Sequence, residues 1–303
     1  MYQLPSYSLL PKKDLEDRAT EAISRLACCD ICPRCCGVDR LSDQRGFCQT
    51  GRRAGVASYT PHFGEEDCLV GRAGSGTIFF SGCNLSCVFC QNYDISQQSA
   101  GRAVSSQELA RMMLALQDCG CHNINFVTPT HVVPQILEAL VLAREGGLHL
   151  PLVYNSGGYE SVETLGLLDG VFDIYMPDAK YGQDGLALKY SHAPGYVDRM
   201  KAAIKEMHRQ VGDLVMDEDG IALRGLLVRH LVLPEGAAGT AEVVCFLSQE
   251  VSKNTYLNVM AQYHPDYQAC CFPELSRPIS VREYGQALVL AKEAGLARGL
   301  AML

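Results

Sequence analysis

The chain has 303 residues, of which 48% are hydrophobic and 20% are charged, and its net charge is −8. This composition is typical of a globular protein and argues against disorder, and the length suits one sizeable α/β core with an appendage. The negative net charge gives no electrostatic case for nucleic acid as a partner.

The amino-terminal residues lack the basic region and uninterrupted apolar stretch of a signal peptide. No run of about 18 apolar residues occurs, so neither a transmembrane helix nor a membrane partner is expected. Without a secretory signal, fifteen cysteines favour reduced thiols that hold metal over a disulfide framework. We therefore expect a cytoplasmic protein.

Two regions are predicted. Residues 1–70 contain seven cysteines and little apolar periodicity, which indicates a Cys-rich, loop-rich or metal-organised segment. Residues 71–303 alternate short apolar runs with longer helical patterns, which is typical of βα units and a parallel sheet. Predicted strands cover residues 77–80, 124–127, 152–154, 172–176, 226–233 and 256–260.

Predicted helices lie between these strands, at residues 105–117, 133–144, 162–168, 197–210, 241–250 and 281–293. The first opens on Ser-Ser-Gln-Glu, a helix-capping sequence. Residues 214–223 carry an Asp-Gly turn between alternating residues and predict a hairpin. Six strands and six helices are too few for an eight-fold barrel and predict a partial (β/α)6 barrel of the TIM type.

The stretch SGCNLSCVFCQN, residues 81–92, follows the first predicted strand of this barrel. Barrel enzymes place their chemistry at that edge of the sheet. Thiolates at Cys83, Cys87 and Cys90 can bind three irons of a cubane cluster and leave the fourth iron without a protein ligand. An open position is what catalytic metal sites keep. The alternatives are a zinc site completed by a distant histidine, or plain buried thiols.

The Cys-x3-Cys-x-aromatic-Cys loop, in which Phe89 is the aromatic residue, resembles that of the radical S-adenosylmethionine (SAM) superfamily. The resemblance implies a 4Fe-4S cluster whose unique iron binds SAM. It further implies reductive cleavage of SAM to a 5′-deoxyadenosyl radical, which abstracts hydrogen from a substrate. The cofactor supplies this chemistry, and the protein positions it.

From about residue 28 to 295 the sequence is similar to the branch of pyruvate formate-lyase activating enzymes. That resemblance implies a glycyl-radical enzyme as the partner substrate and a flavodoxin or ferredoxin as the electron donor. One alternative keeps the radical chemistry but acts on a small molecule or a peptide. Another is an electron-transfer iron–sulfur protein, which would not bind SAM.

The resemblance also implies cofactor contacts after the second and third strands. Thr128 and Thr130 stand where many members have a Gly-Gly-Glu that grips the methionine amino group, and Thr130 as a helix N-cap is the alternative. Asn155 and Ser156 lie in a stretch similar to the activases' Asp-Thr-Asn-Gly, although Tyr154 replaces the aspartate. They are expected to bind the methionine or ribose, and a plain glycine turn is the alternative.

Three later strands end in further candidates. Asp178 and Lys180 match the activases' Asp-x-Lys, with a surface ion pair of little energetic value as the alternative. Arg229, in VRHLVLP, is expected to point into the barrel towards carboxylate or ribose oxygens, and His230 to face outward. His264, in Gln-Tyr-His-Pro, is expected to contact cofactor or substrate, with a structural histidine as the alternative. Lys180, Arg229 and His264 are the catalytic candidates.

The amino-terminal block CCDICPRCCGVDRLSDQRGFC resembles a Cys-x2-Cys-Pro-Arg-x-Cys-Gly pattern of the same branch, with a later Gly-x-Cys. That pattern selects Cys29, Cys32, Cys36 and Cys48. Four thiolates would close a zinc or iron site or bind a second cluster. Cys28 and Cys35 leave other ligand sets open, as well as a metal-free arrangement.

Overall fold

The structure is a computed structural model that describes residues 4–300. Its main element is one mixed sheet with nine strands in the described residues, in the order β3-β1-β2-β4-β5-β6-β8-β7, with β9 paired to β8. The strands are β1 Ala54–His62, β2 Ser75–Phe80, β3 Arg102–Val104, β4 Ile124–Val127, β5 Leu152–Ser156, β6 Ile174–Pro177, β7 Val215–Met216, β8 Ala222–Leu231 and β9 Tyr256–Met260.

Six strands form the barrel portion. Strands β2, β4, β5, β6, β8 and β9 pair in parallel, in that order. The sheet does not close, because β2 pairs on its other side with the antiparallel strand β1. The predicted partial (β/α)6 barrel is therefore confirmed, and all six predicted strands are present with ends shifted by a few residues.

The helices occur mainly where the sequence predicts them. Those of the described residues are α1 Ser6–Leu9, α2 Lys12–Ser24, α3 Asp67–Val70, α4 Tyr93–Ser96, α5 Ser106–Asp118, α6 Val133–Glu145, α7 Val162–Gly166, α8 Asp184–Ser191, α9 Tyr196–Val211, α10 Thr240–Phe246 and α11 Val281–Glu293. Helix α5 begins with a capping box between Ser105 and Glu108, as its sequence predicts. The predicted hairpin is the antiparallel pair of β7 and β8.

Helices and sheet share an aromatic layer. Phe126 packs between Phe80 and Phe172, and Tyr154 packs edge-on against Phe172 and Tyr175, with ring centroids 5.1–6.2 Å apart. All five rings are buried. Because strand side chains alternate between faces, neighbours such as Asn155 and Met176 turn the other way, towards the barrel interior.

The amino-terminal segment has more regular structure than the sequence indicates. Helices α1 and α2 precede the cysteine block, and β1 joins the barrel sheet. Tyr7, Leu15 and Leu26 are buried in the same core as the barrel helices. The loop-rich description therefore applies only to the stretch between α2 and β1, since the helices before it and the strand after it contribute apolar residues to the core. No helix within residues 4–300 is long and apolar enough to cross a bilayer.

Candidate active site

The three-cysteine loop leaves the end of β2 and crosses the carboxyl edge of the parallel strands. Each sulfur has one polar neighbour. The Leu85 N–H donates to Cys83 Sγ at 3.3 Å, Ser191 Oγ donates to Cys87 Sγ at 3.0 Å, and Cys90 Sγ lies 3.1 Å from Ser96 Oγ. Donors directed at sulfur favour the thiolate form, which is the form that binds metal.

Burial and the positive charge of Lys180 shift the pKa values of the thiols in this loop in opposite directions. Burial raises the pKa of the Cys83 and Cys87 thiols, and neighbouring cysteines raise the pKa further through charge repulsion. The ammonium of Lys180 lowers the pKa of both thiols. Three mutually close thiols beside a lysine suit the thiolates of a cluster, so the residues present fit that group.

Lys180 belongs to a chain of charged and polar side chains near the ends of β5, β6 and β8. Lys180 Nζ lies 2.5 Å from Asp178 Oδ2, and Arg229 Nε donates to Asp178 Oδ1 at 2.9 Å. Arg229 also donates to Asn155 Oδ1 at 2.6 Å. The structure thus brings together four predicted site residues from three strands.

The partially buried Asp178 holds two cations at the barrel mouth. Burial alone would raise the pKa of Asp178, but the charges of Arg229 and Lys180 outweigh burial and lower that pKa. Burial alone would lower the pKa of Lys180, but Asp178 raises it to about 12. Both groups are therefore charged at neutral pH, and Lys180 and Arg229 can bind an anionic group such as a carboxylate.

His230 faces away from this chain, as predicted. It is fully buried, its Nδ1 lies 2.7 Å from the Ala179 carbonyl oxygen, and its Nε2 lies 2.9 Å from Thr240 Oγ1. These contacts join β8 to the segment after β6 and to the first residue of α10. His230 is a structural residue.

Thr128 ends β4 in a strained conformation. Its φ is +61°, which a β-branched residue rarely adopts, and its N–H donates to the Asn155 carbonyl oxygen at 2.9 Å. Strain of this kind concentrates at functional sites. The conformation places Thr128 beside Asn155, at the edge where the cysteine loop lies, and its cofactor role stays a prediction.

Thr130 and Ser156 contact a buried carboxylate. Thr130 Oγ1 donates to Glu160 Oε1 at 2.6 Å, and the Tyr154 hydroxyl donates to Glu160 Oε2 at 3.0 Å. Burial raises the pKa of Glu160, and the nearby Ser156 hydroxyl lowers it. Thr130 does not cap helix α6, which has no side-chain cap. The Thr130 hydroxyl is thus engaged by Glu160, and the cofactor roles of Thr130 and Ser156 stay predictions.

Phe89 and His264 lie on adjoining loops. Phe89 is buried and packs against the Tyr263 ring at 5.8 Å, and the Gln268 N–H donates to the Val88 carbonyl oxygen at 2.8 Å. His264 is exposed, and its imidazole has no hydrogen-bond partner in the part of the chain that the structure describes. The loop after β9 thus supports the cysteine loop, whereas His264 extends into solvent.

Sequence reasoning missed the acidic residues that enter the barrel between β1 and β2. Glu65 Oε2 lies 3.6 Å from Arg229 Nη1, and burial raises the Glu65 pKa. Glu66 accepts a hydrogen bond from Asn258 Nδ2 at 3.0 Å. The paired glutamates just before the cysteine loop, and the polar Asn125 within the apolar strand INFV, are the signals that could have found this polar interior.

Below these residues the barrel is filled by apolar side chains. Cys68 and Leu69 of α3 pack against Val153, Ile174 and Leu227 of the strands. The β1–β2 connection therefore plugs the interior. Within the described barrel, space for a metal site with a free coordination position therefore remains at the carboxyl edge. The cysteine loop and the Lys180–Asp178–Arg229 chain meet at that edge.

Fold and site together define an iron–sulfur protein built on an open α/β barrel. A family model described as the radical SAM superfamily matches residues 77–217. An uncharacterized protein of Methanocaldococcus jannaschii is 34% identical in an alignment of 278 positions that covers 88% of this chain and 75% of that protein. The pyruvate formate-lyase-activating enzyme of Clostridium pasteurianum is 24% identical in an alignment of 162 positions that covers 52% of this chain and 61% of that enzyme.

Among solved structures, HydG, a maturase of the FeFe-hydrogenase, is similar with a TM-score of 0.50 at 11% identity, covering 95% of this chain and 63% of that one. This likeness concerns the fold alone. With the family match and the 34% identical relative, the chain belongs to the radical SAM superfamily. It is therefore an enzyme of the class that uses a 4Fe-4S cluster and SAM, and such enzymes need a reductant.

Proposed function

We propose that this enzyme removes a hydrogen atom from a glycine of a partner protein and so acts as a glycyl-radical-enzyme activase. Cys83, Cys87 and Cys90 would hold the cluster, and Lys180, Arg229 and Asn155 would hold SAM beside it. When bound, these cofactors supply the radical chemistry. The observation that carries the assignment of this site is the bonded chain of Lys180, Asp178 and Arg229, whose lysine charge acts on the thiols of the cysteine loop.

In this proposal the chain's own residues orient and retain the cofactor. Asp178 keeps Lys180 and Arg229 charged and fixes their directions, which reduces the entropy lost on binding an anion. Asn155 accepts a hydrogen bond from Arg229 and so aligns the guanidinium group of Arg229. Phe89 and Tyr263 shield the cysteine loop from water on one side. The proposed electron donor is a flavodoxin or ferredoxin.

Two observations support a protein substrate. The partial relationship to a pyruvate formate-lyase-activating enzyme covers about half of the chain. Gln91, His192 and His264, on three loops around the mouth, are exposed and leave it accessible to a large partner. The charged interior formed by Glu65 and Arg229 supports a second candidate, a small polar molecule or peptide that enters the barrel.

Isotope transfer tests which class of substrate is used. Extract from cells of the source organism grown in D2O is separated into a protein fraction and a low-molecular-mass fraction. Each fraction is incubated anaerobically with the reduced enzyme and SAM. We expect deuterium in the 5′-deoxyadenosine formed with the protein fraction. In the protein fraction of a parallel extract from unlabelled cells, we expect the EPR doublet of a glycyl radical, which the remaining α-proton produces.

The control is Cys87→Ala, which should lose the cluster and form no 5′-deoxyadenosine while its circular dichroism matches that of the wild type. Deuterium transfer from the low-molecular-mass fraction alone would replace the activase proposal with the small-molecule or peptide alternative. Cleavage of SAM by Cys87→Ala would overturn the assignment of the site itself.

A further inference from the structure

A second cluster of cysteines lines one cavity between α2 and β1. Cys29, Cys32 and Cys48 are buried, with 7%, 7% and 8% of their surfaces exposed, and Cys36 is half-buried. Cys35 reaches the rim of the cavity but is exposed, and Cys28 is exposed and outside it. The structure thus gathers the four cysteines that the sequence pattern selects.

Two arginines line the same cavity. Arg40 is 1% exposed and donates to the carbonyl oxygens of Gly51 and His131, and its Nη1 lies 3.7 Å from Cys29 Sγ. The Arg34 guanidinium lies 3.6 Å from the Phe47 ring centroid, and its Nη2 is buried without a hydrogen-bond partner in the described residues. Neither arginine has a carboxylate within ion-pair distance in residues 4–300.

Burying a guanidinium without an anion is unfavourable, because the charge loses its hydration and gains no counter-charge. The groups at this cavity that can become anionic are its thiols. A metal bound by four thiolates is dianionic, both for zinc and for an oxidised cubane cluster. Such a centre would balance the charges of Arg34 and Arg40.

The loop around Cys36 also has features of a metal-binding loop. The Phe47 N–H donates to Cys36 Sγ at 3.5 Å, as the Leu85 N–H does to Cys83 in the first site. A Cβ at Gly46 would lie 2.8 Å from both Cβ and Sγ of Cys36. Only glycine at position 46 therefore leaves the Cys36 side chain in place.

This cavity adjoins the loop that carries the first cluster. Arg34 Nε donates to the Asn84 carbonyl oxygen at 2.8 Å, and His131 Nε2 lies 2.9 Å from the Ser81 carbonyl oxygen. A Cβ at Gly82 would lie 2.3 Å from the Cys48 carbonyl oxygen. Residues on both sides of Cys83 are thus in contact with the second cysteine cluster or with residues that line its cavity.

We propose that Cys29, Cys32, Cys36 and Cys48 bind a second metal centre, zinc or a 4Fe-4S cluster, whose charge Arg34 and Arg40 balance and which supports the loop of the first cluster. Within residues 4–300, no three His, Cys, Asp or Glu side chains already converge on a single-ion position. Because four thiolates can bind either zinc or a 4Fe-4S cluster, the test measures both zinc and iron. The proposal does not depend on the substrate of the enzyme.

A variant without the first cluster isolates the second centre. In the full chain, Cys83, Cys87 and Cys90 are all replaced by Ser, and iron, zinc and acid-labile sulfide are counted after anaerobic purification. We expect this triple variant to retain about one zinc, or about four irons with as much sulfide. Adding Cys32→Ser and Cys48→Ser should remove that metal, whereas adding Cys28→Ser should not.

A folded triple variant without zinc or iron would overturn the proposal. So would metal that survives the Cys32→Ser and Cys48→Ser changes. If the triple variant does not fold, alkylation of the native wild-type protein tests whether the four cavity cysteines bind metal. Iodoacetamide should label Cys28 quickly, and the four cavity cysteines only after a chelator has removed the metal. Equal labelling of the four before and after chelation would contradict a metal centre.

The supporting role is tested in the otherwise wild-type chain. Cys32→Ser with Cys48→Ser should lower the EPR signal of the first cluster at least about twofold relative to Cys28→Ser, because the loop loses its support. An unchanged first-cluster signal would show that the two sites are independent.

Discussion

Lys180 illustrates how a single side chain connects two chemical groups at the mouth of the barrel. Its ammonium lowers the pKa of the Cys83 and Cys87 thiols on one side and pairs with Asp178 on the other. Arg229 keeps its own bond to Asp178, at 2.9 Å. Removing the lysine charge should therefore weaken anion binding without breaking the rest of the chain.

The prediction for Lys180→Gln follows from this arrangement. A hydrogen bond to a charged group contributes about 1.5–3 kcal/mol, so the affinity for SAM should fall at least about tenfold. The iron content and the EPR spectrum of the cluster without SAM should stay unchanged. The measurement is a titration of the SAM-induced change in the EPR spectrum.

Lys189→Gln is the matched control, because Lys189 pairs with Glu274 near the surface and has no ion pair with Asp178. It should bind SAM as the wild type does. Equal affinities of the Lys180 and Lys189 variants would remove Lys180 from the cofactor site.

Glu160 makes the stability of the fold depend on pH. Burial raises the pKa of this carboxyl to about 7, although the bonds from Thr130, Ser156 and Tyr154 lower it. The folded state therefore binds the proton more tightly than the unfolded chain does. The stability that this group contributes is complete below the ordinary carboxyl pKa and is lost as the pH rises through about 7.

Glu160→Gln should abolish that loss. Between pH 5 and pH 8 the free energy of unfolding of the variant should rise relative to the wild type, by up to about 3 kcal/mol. Urea unfolding under anaerobic conditions measures it. Glu163→Gln, a change of an exposed carboxylate in the same segment, should follow the wild type. If all three proteins give parallel pH curves, the buried carboxylate is not the titrating group.

At the scale of the element, the cysteine loop depends on how it leaves β2. Gly82 has a φ of +82°, and a Cβ there would lie 2.3 Å from the Cys48 carbonyl oxygen. A side chain at this position would thus be strained and would also push apart the loop and the amino-terminal segment. The position of the neighbouring Cys83 therefore depends on glycine at residue 82.

Gly82→Ala should therefore reduce the iron bound at the first site to less than about half of the wild-type amount. Gly120→Ala is a close control, because Gly120 also has a φ of +82°, but a Cβ added there would have no other atom within 4 Å. Both variants should lose about 1 kcal/mol from backbone strain. Only Gly82→Ala should lose iron, and equal iron in both would mean that the close contact is unimportant.

At the scale of the whole molecule, the amino-terminal residues are part of the barrel core. The N–H and hydroxyl of Ser6 both donate to Asp173 Oδ1 at 2.8 Å, and Asp173 Oδ2 accepts from the Leu152 N–H at 2.9 Å. These bonds join α1 to the starts of β5 and β6. Helix α2 packs against α6 on the outside of the sheet. The part of the segment that precedes the cysteine cavity is thereby held against the barrel.

The open sheet has a related consequence. Strand β1 pairs with β2 where a closed barrel would place another parallel strand, and the β1–β2 connection then enters the interior. Strand β1 therefore covers the edge of β2, and the connection after it fills the lower barrel and brings Glu65 to Arg229. The site is shaped by this connection as much as by the six parallel strands.

Local signals in the sequence were sufficient for the barrel and for its cysteine loop. Helical and strand periodicities are set by neighbouring residues, and the spacing of Cys83, Cys87 and Cys90 lies within one loop. The residues Asp178, Lys180 and Arg229 were found through their resemblance to activase motifs near the ends of predicted strands, and the ends of parallel strands meet at one edge. Their cofactor roles and those of the other candidates remain predictions.

Only the tertiary structure decided which partners the buried polar groups acquire. Glu65 meets Arg229, Thr130 meets Glu160 and Arg40 meets His131 across large separations in sequence. No local pattern encodes these pairs, because a buried polar group bonds to whatever the completed packing brings within reach. For the same reason, the sequence could select four amino-terminal cysteines, but only the folded chain placed two arginines without carboxylate partners around them.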